Sequence, residues 1–332
     1  MAGRLMRAWV LGESPGSYEL QEVQTPEPGR DDVRVKVVAS ALNHMDVWLT
    51  KGLPKPHLPH VPGADGAGTI DAHGAGVTGF SAGDEVVINP AISCRTCRAC
   101  LAGNSPYCQR FGIMGEHRWG AHADYVVVPA ANVVPKPAGL DWAGAAAYGL
   151  CWLTAWRMLK RARLQAGETM LVVGVGGGVS AAGLVLGVYM GARAVVTSRQ
   201  EAKRARALEL GAHEAYDSDA EWPVRADVVF ENVGAATWEK SIKALERGGR
   251  LVTCGGTAGS NVTISLPRLF FKQNEIIGST MGSYEEFAEV TNLVTAGVPV
   301  LVDSEIAGLE SFLDALKRLE AGDQFGKLVL TH

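Results

Sequence analysis

The chain has 332 residues, with 31 Lys and Arg against 35 Asp and Glu, a formal net charge of −4 and 47% hydrophobic residues. At ~100–200 residues per domain the length suggests about two domains, and so apolar a chain with so little net charge is not a disordered one. No Lys/Arg-rich run and no positive balance offer a reason to bind nucleic acid. The first residues, Met1 to Arg7, lack the apolar stretch of a secretory leader. The uncharged segment 169–192 is broken by Gly174, Gly176, Gly177, Gly178, Gly183, Gly187 and Gly191, which predicts a strand, a turn and a helix rather than a membrane span. The expectation is a soluble, cytoplasmic protein with no membrane partner.

In chain order, the first part reads as β-rich. Short β-branched runs at 33–39, 66–72 and 83–88, separated by Pro and Gly turns, predict a partly closed antiparallel barrel. A helical stretch follows over 143–163. Strand and helix then alternate: strand 170–173, helix 179–190, strand 194–197, helix 201–210, strand 226–230, helix 237–245 and strand 250–254. Such alternation predicts a parallel sheet covered by helices on both faces. A helix over 309–320 and a strand over 327–330 close the chain.

The strand at 170–173 runs into Gly174-Val175-Gly176-Gly177-Gly178-Val179-Ser180 and then a helix. A Gly-rich turn there lets backbone approach a pyrophosphate at the positive end of the helix. The spacing departs from G-x-G-x-x-G, with Ser180 at the last glycine position, but the strand–loop–helix context is the expected one. The next strand ends in Ser198-Arg199 with Lys203 a turn later, and no acid follows to accept from a ribose 2′-hydroxyl. Ser198 as donor and Arg199 or Lys203 as counter-charge favour NADP(H), although both basic residues also suit a solvated helix start.

Cys94-x2-Cys97-x2-Cys100-x7-Cys108 is the most specific signal in the chain. Four closely spaced thiolates can surround Zn2+ with no position left for water, a structural type of site, and Arg95 and Arg98 between them could offset some of its net negative charge. The cysteine loop, the Gly loop and the β-rich first half together resemble the medium-chain dehydrogenases/reductases, the zinc-type alcohol dehydrogenase and quinone oxidoreductase superfamily. The likeness also rests on Gly63-Ala64-Asp65-Gly66-Ala67-Gly68, Gly83-Asp84-Glu85-Val86, Leu153-Thr154-Ala155-Trp156 and Gly326-Lys327-Leu328-Val329-Leu330. It implies an α/β protein: a GroES-like β-barrel catalytic domain over 1–151 and 283–332, carrying the zinc lobe at 94–108, and a Rossmann doubly wound parallel sheet over 152–282. It further implies association into a dimer or tetramer through the Rossmann sheets.

The departures from that family carry the functional reading. Its catalytic-zinc members place a Cys where this chain has Asn43, and a Gly-His-Glu motif where it has Gly63-Ala64-Asp65. Cys151 lies one residue out of register with the third ligand. A hydride-polarising zinc is therefore not expected, unless His44, Asp46, Asp65, His117 or Cys151 improvise a site. His57-x2-His60 sits in a Pro-rich stretch that reads as a surface loop. Without the metal, Asn43 becomes the candidate donor to a developing oxyanion, or else a helix N-cap. His44 takes the place of a basic residue facing the pyrophosphate and could supply a proton, with Asp46 completing the candidate catalytic set. The resemblance places Thr154 beside the nicotinamide and Lys327 near the pyrophosphate, while Gly234, Gly255 and Gly256 end sheet strands where a dinucleotide would cross. Trp48, Trp119, Trp152, His117 and Tyr125 could line an apolar cleft between the domains.

The expected activity is NADPH-dependent hydride transfer to a quinone, an enone or a related small-molecule carbonyl, with one structural zinc per subunit. The alternatives are an NAD(P)-dependent alcohol dehydrogenase or aldehyde reductase on the same fold, and an NADPH-binding protein without turnover.

Overall fold

The computed structural model describes residues 4–332. The chain divides into two compact units, one formed by residues up to Leu150 together with Ser283–His332, the other by Cys151–Gly282.

The first unit is built on a seven-stranded sheet. Lys327–Thr331 pairs with Asp32–Ala41, which pairs in turn with Asp65–His73 and Tyr125–Pro129, and the sheet continues through Glu85–Ile88 to Val133–Pro135. Pairing is antiparallel except at one edge, where Val302–Ala307 runs parallel to Lys327–Thr331. The alternation of Val33, Val35 and Val37 in the Asp32–Ala41 strand puts three side chains into a core with Ile70, Val86, Ile88, Val126 and Val128. A second core joins Trp9, Leu42, Met45, Leu49, Phe312 and Leu330. It holds the short His44–Thr50 helix, whose apolar residues at 45, 47 and 49 are buried.

The second unit is a six-stranded sheet with every neighbouring pair parallel. Its order is Glu214–Tyr216, Arg193–Thr197, Thr169–Val172, Ala226–Glu231, Leu245–Thr253 and Glu275–Gly278, the Rossmann arrangement of two βαβ halves diverging from a central strand. Strands with both faces covered are apolar throughout, as at Met170-Leu171-Val172 and Ala194-Val195-Val196, which are fully buried.

One expected element is corrected. The helix over 143–163 is two helices, Trp142–Ala147 and Gly149–Arg161, broken at Tyr148. The break lies where the buried Asp65 carboxylate accepts a hydrogen bond from the Leu150 N–H at 2.6 Å, and a Cβ on Gly149 would lie 2.5 Å from the same carboxylate oxygen. The strand expected over 250–254 is longer, Leu245–Thr253. Among the described residues no helix is long and apolar enough to cross a membrane.

Candidate active site

In the second unit, the Thr169–Val172 strand leads into Gly174 (φ +70°) and Gly176 (φ +126°), and the Gly178–Tyr189 helix opens with Gly177 as N-cap. Both positive φ values lie where L side chains are strained. A Cβ on Gly174 would approach Val233 to 2.7 Å, and one on Gly176 would approach the Lys203 side chain to 2.6 Å. Thr197 ties the loop to the neighbouring strand: its Oγ1 accepts from the Gly174 N–H at 3.0 Å and its carbonyl from the Val175 N–H at 2.7 Å. Gly177, Gly178 and Val179 open the helix half-buried. Close backbone approach at a twelve-residue helix N-terminus fits a pyrophosphate.

Ser180 departs from its expected role. It is fully buried, and its hydroxyl donates toward the Gly174 and Gly177 carbonyls at 3.0 Å each, so it braces the loop from behind. The close helix–strand approach that a last glycine would allow is made three residues on, where a Cβ at Gly183 would meet the Phe230 ring at 2.8 Å.

At the end of the Arg193–Thr197 strand, Ser198 is buried and its hydroxyl accepts from the Gln200 N–H at 3.3 Å. Arg199 is exposed and Lys203 half-buried beside Gly176. The basic residue that shapes this turn is Arg204, which the motif reading passed over. Its guanidinium donates to the Ser198 and Arg199 carbonyls at 2.7 and 3.1 Å and to Asp217 at 3.2 Å. Farther along the sheet edge, a Cβ on Gly234 (φ +93°) would collide with the Gly259 carbonyl and lie 2.7 Å from the Gly256 Cα, so these turns touch through backbone. Gly255 is less crowded, with nothing nearer than 3.5 Å. Buried Glu231 anchors this edge, accepting from the Val233 and Gly234 N–H groups and from the Thr237 and Ser241 hydroxyls. Thr154 is buried, its hydroxyl 3.7 Å from the Met281 sulfur.

In the first unit, Asn43, Asp46, Asp65 and Lys327 form a buried cluster, each at most 5% exposed. Lys327 turns its ammonium inward, donating to the Leu42 carbonyl at 2.7 Å, Asn43 Oδ1 at 2.7 Å and Asp65 Oδ2 at 2.8 Å. An ammonium has three protons, and three acceptors surround it. The expectation that Lys327 reaches outward to a pyrophosphate is therefore corrected in favour of a buried ion pair. Asn43 is corrected as well. With Oδ1 facing Lys327, its amide Nδ2 donates to Asp65 Oδ2 at 3.0 Å and to the Ala41 carbonyl at 3.3 Å, so both N–H bonds point into the cluster rather than toward a substrate. It is also the N-cap of the His44–Thr50 helix, the other role open to it.

Asp46 closes the turn. It accepts from the Asn43 N–H at 2.8 Å and the Gly63 N–H at 3.1 Å, and His122 Nε2 lies 3.5 Å away. His122, fully buried, continues through Ser40 Oγ at 2.9 Å to His332 Nε2, 2.8 Å beyond. Burial pushes the His332 imidazole down to about 3. His44, half-buried at the start of the helix, enters none of these hydrogen bonds. Burial, and then the Lys327 charge, hold its imidazole below its ordinary value, so it is neutral at pH 7.

The remaining expectations divide. Cys94, Cys97, Cys100 and Cys108 converge, with all four sulfurs within 4.8 Å of one another. The Cys97 N–H points at the Cys94 sulfur and the Arg110 N–H at Cys108, both at 3.3 Å. Four convergent thiols with N–H donors aimed at sulfur fit a tetrahedral, thiolate-bound cation such as Zn2+. No second group of three such ligands assembles among the described residues. His60 is buried with Nε2 2.9 Å from the Gly115 carbonyl, while His57 is exposed, so they do not form a pair. Trp152 and Tyr125 are core side chains and do not line an open pocket. The Trp119 indole donates to the Pro59 carbonyl at 2.9 Å, and Trp48 packs near His44, with ring centroids 6.2 Å apart.

Residues 29–138 match the alcohol dehydrogenase GroES-like domain, and residues 167–296 match the zinc-binding dehydrogenase family. The chain belongs to the zinc-type alcohol dehydrogenase-like medium-chain dehydrogenases/reductases. Within this superfamily it is 30% identical to an acryloyl-coenzyme A reductase of Metallosphaera sedula, over 98% of this chain and all of that one. Among solved structures it is 41% identical to an NAD-dependent alcohol dehydrogenase, with a TM-score of 0.93 over 98% of this chain and all of the other. It also matches the 2-octenoyl-CoA carboxylase reductase CinF, solved with NADP and 2-octenoyl-CoA, at 26% identity and a TM-score of 0.92, over all of this chain and 88% of that one. The chain is accordingly a medium-chain oxidoreductase.

Proposed function

We propose that this oxidoreductase reduces the conjugated double bond of an α,β-unsaturated carbonyl compound, such as an enone, a quinone or an unsaturated acyl thioester, using NADPH and no catalytic zinc. One observation carries the reading: where catalytic-zinc members hold their first ligands, this chain holds Asn43, Ala64 and Asp65, and the Lys327 ammonium is the cation bound there. An aldehyde needs strong polarisation of its oxygen to accept hydride, whereas a conjugated system accepts hydride at its β-carbon and needs only a hydrogen bond as charge builds on the distant oxygen. Two relatives act, by name, on acryloyl-CoA and 2-octenoyl-CoA, which are substrates of this class.

Bound NADPH supplies the hydride. The Gly174–Val179 loop would hold its pyrophosphate, and Arg199 with Lys203 its 2′-phosphate. His44 is the polar side chain left free by the buried cluster to donate to the forming enolate oxygen. Asn43, Asp46 and Lys327 are positioning residues that fix the helix start on which His44 sits. The 41% identity to an NAD-dependent alcohol dehydrogenase supports a second reading, oxidation of an alcohol on the same fold. Association through the parallel sheets belongs with either reading.

The test follows NADPH oxidation against acryloyl-CoA, crotonyl-CoA, enones, quinones and aldehydes, with alcohols in reverse. Turnover of conjugated substrates is expected. Turnover confined to aldehydes and alcohols would overturn the proposal, and silence across the panel would leave a cofactor-binding protein. Arg199→Ala should weaken NADPH binding about tenfold with little change for NADH, the scale of one lost charged phosphate contact. Equal losses would refute the NADPH assignment.

A further inference from the structure

Beside the cysteine cluster lies a cleft of about 290 Å³ lined by Arg110, Phe111, His117 and Arg118, together with Cys94 and residues 92–93 and 112–113. We propose that this cleft is a subsite for a phosphorylated carrier, holding the phosphate-bearing nucleotide end of an acyl-CoA substrate. This rests on the thioester branch of the proposed function.

The cleft is built for an anion. Arg110 and Arg118 are both exposed, and neither takes part in an ion pair among the described residues. Both are pinned at the backbone. The Arg110 N–H donates to the Cys108 sulfur at 3.3 Å, and the Arg118 carbonyl accepts from the Gly115 N–H at 2.9 Å. His117 Nδ1 accepts from the Ile113 N–H at 3.1 Å. An imidazole that accepts on Nδ1 has Nε2 left as its donor nitrogen. The acid nearest the imidazole, Glu116, lies 3.6 Å from the same Nδ1 and is not part of the lining.

Charge balance at the metal lobe does not account for this pair. Four thiolates around a divalent cation leave two negative charges, and two other arginines, Arg95 and Arg98, stand between the cysteines in the chain to offset them. Arg110 and Arg118 are surplus to the lobe and share one cleft. Two forked guanidinium donors suit phosphate oxygens, and half-buried Phe111 offers a ring for a base to stack on. A cleft of this volume has room for one phosphorylated nucleoside, near the lower end of the usual ~300–1,000 Å³ for ligand sites.

The test uses the full chain saturated with NADP+, so that the dinucleotide site is filled. Adenosine 3′,5′-bisphosphate is titrated calorimetrically into the wild type and the Arg110→Ala/Arg118→Ala variant, and KM is measured for crotonyl-CoA and for the unphosphorylated crotonyl-pantetheine thioester. The bisphosphate should bind, and its affinity should fall at least tenfold in the variant. KM for crotonyl-CoA should rise about tenfold, while KM for the pantetheine thioester stays unchanged. No bisphosphate binding, or an unchanged crotonyl-CoA KM, overturns the subsite. So does displacement of the bisphosphate by an equal concentration of inorganic phosphate, which would make the cleft a general anion site. Arginine-dependent bisphosphate binding without reduction of either thioester would uphold the cleft and refute the thioester reading instead.

Discussion

Asn43 shows how little one residue's identity says about its job. An amide at a vacated metal-ligand position invites the role of oxyanion donor. Yet Lys327 on Oδ1, with Asp65 and Ala41 on Nδ2, uses both ends of that amide. Loss of a true oxyanion donor costs about 10²–10³ in kcat. Asn43→Ala should therefore cost less than that in kcat, and show mainly as roughly 1–3 kcal/mol of lost stability in chemical denaturation, from a lost N-cap and an unsatisfied Lys327 proton. His44→Gln should carry the larger loss of kcat. If His44 also delivers the proton, kcat/KM should rise as pH falls below 6.5, because its imidazole is held below its ordinary value, and the rise should vanish in the variant. His332 offers a second pH signature. Its imidazole lies at about 3 in the fold and near 6.5 when unfolded, so the unfolded chain binds more protons between those values. Its contribution to stability is complete above pH 6.5 and is lost on acidification toward 3, at up to about 1.4 kcal/mol per pH unit. A Tm series from pH 7 to 5 should fall less steeply in His332→Gln than in the wild type.

Among the elements, the Gly178–Tyr189 helix was the most legible from sequence, because a strand, a Gly loop and a helix in succession leave few other readings. The detail of its packing was not. Gly183, ordinary in the motif, lies against the Phe230 ring on the next strand, while Ser180 braces the loop from behind. Gly183→Val should push the helix off the sheet and destabilise the unit by about 1–3 kcal/mol, read by denaturation and by weaker NADPH binding. The helix expected over 143–163 failed as one element for a reason outside its own residues. Its pattern is continuous, but Asp65, more than eighty positions earlier, caps a new helix at Leu150. Tertiary context overrides local pattern there, as it does wherever a buried carboxylate needs donors.

For the whole molecule, the metal content separates the two catalytic readings most cleanly. One cysteine cluster among the described residues predicts one zinc per chain by metal analysis, with turnover of conjugated substrates surviving a mild chelator. A second tightly held zinc, removed together with activity, would contradict a reductase that works without one. Cys108→Ser should lower Tm while leaving the NADPH affinity of the other unit unchanged.

The parallel sheet, the strand–glycine loop–helix succession and the cysteine cluster could all be read from the order of residues alone. Each depends on neighbours within a few tens of positions: a period of apolar residues, a run of glycines, four thiols inside one loop. The chemistry of the active site could not, since it depends on who reaches whom across the fold. Lys327 meets Asn43 from almost the far end of the chain, His122 stands behind Asp46, and Arg204 closes the turn that Arg199 flanks. A hydrogen bond is spent once, and only the packed structure says where each donor has gone.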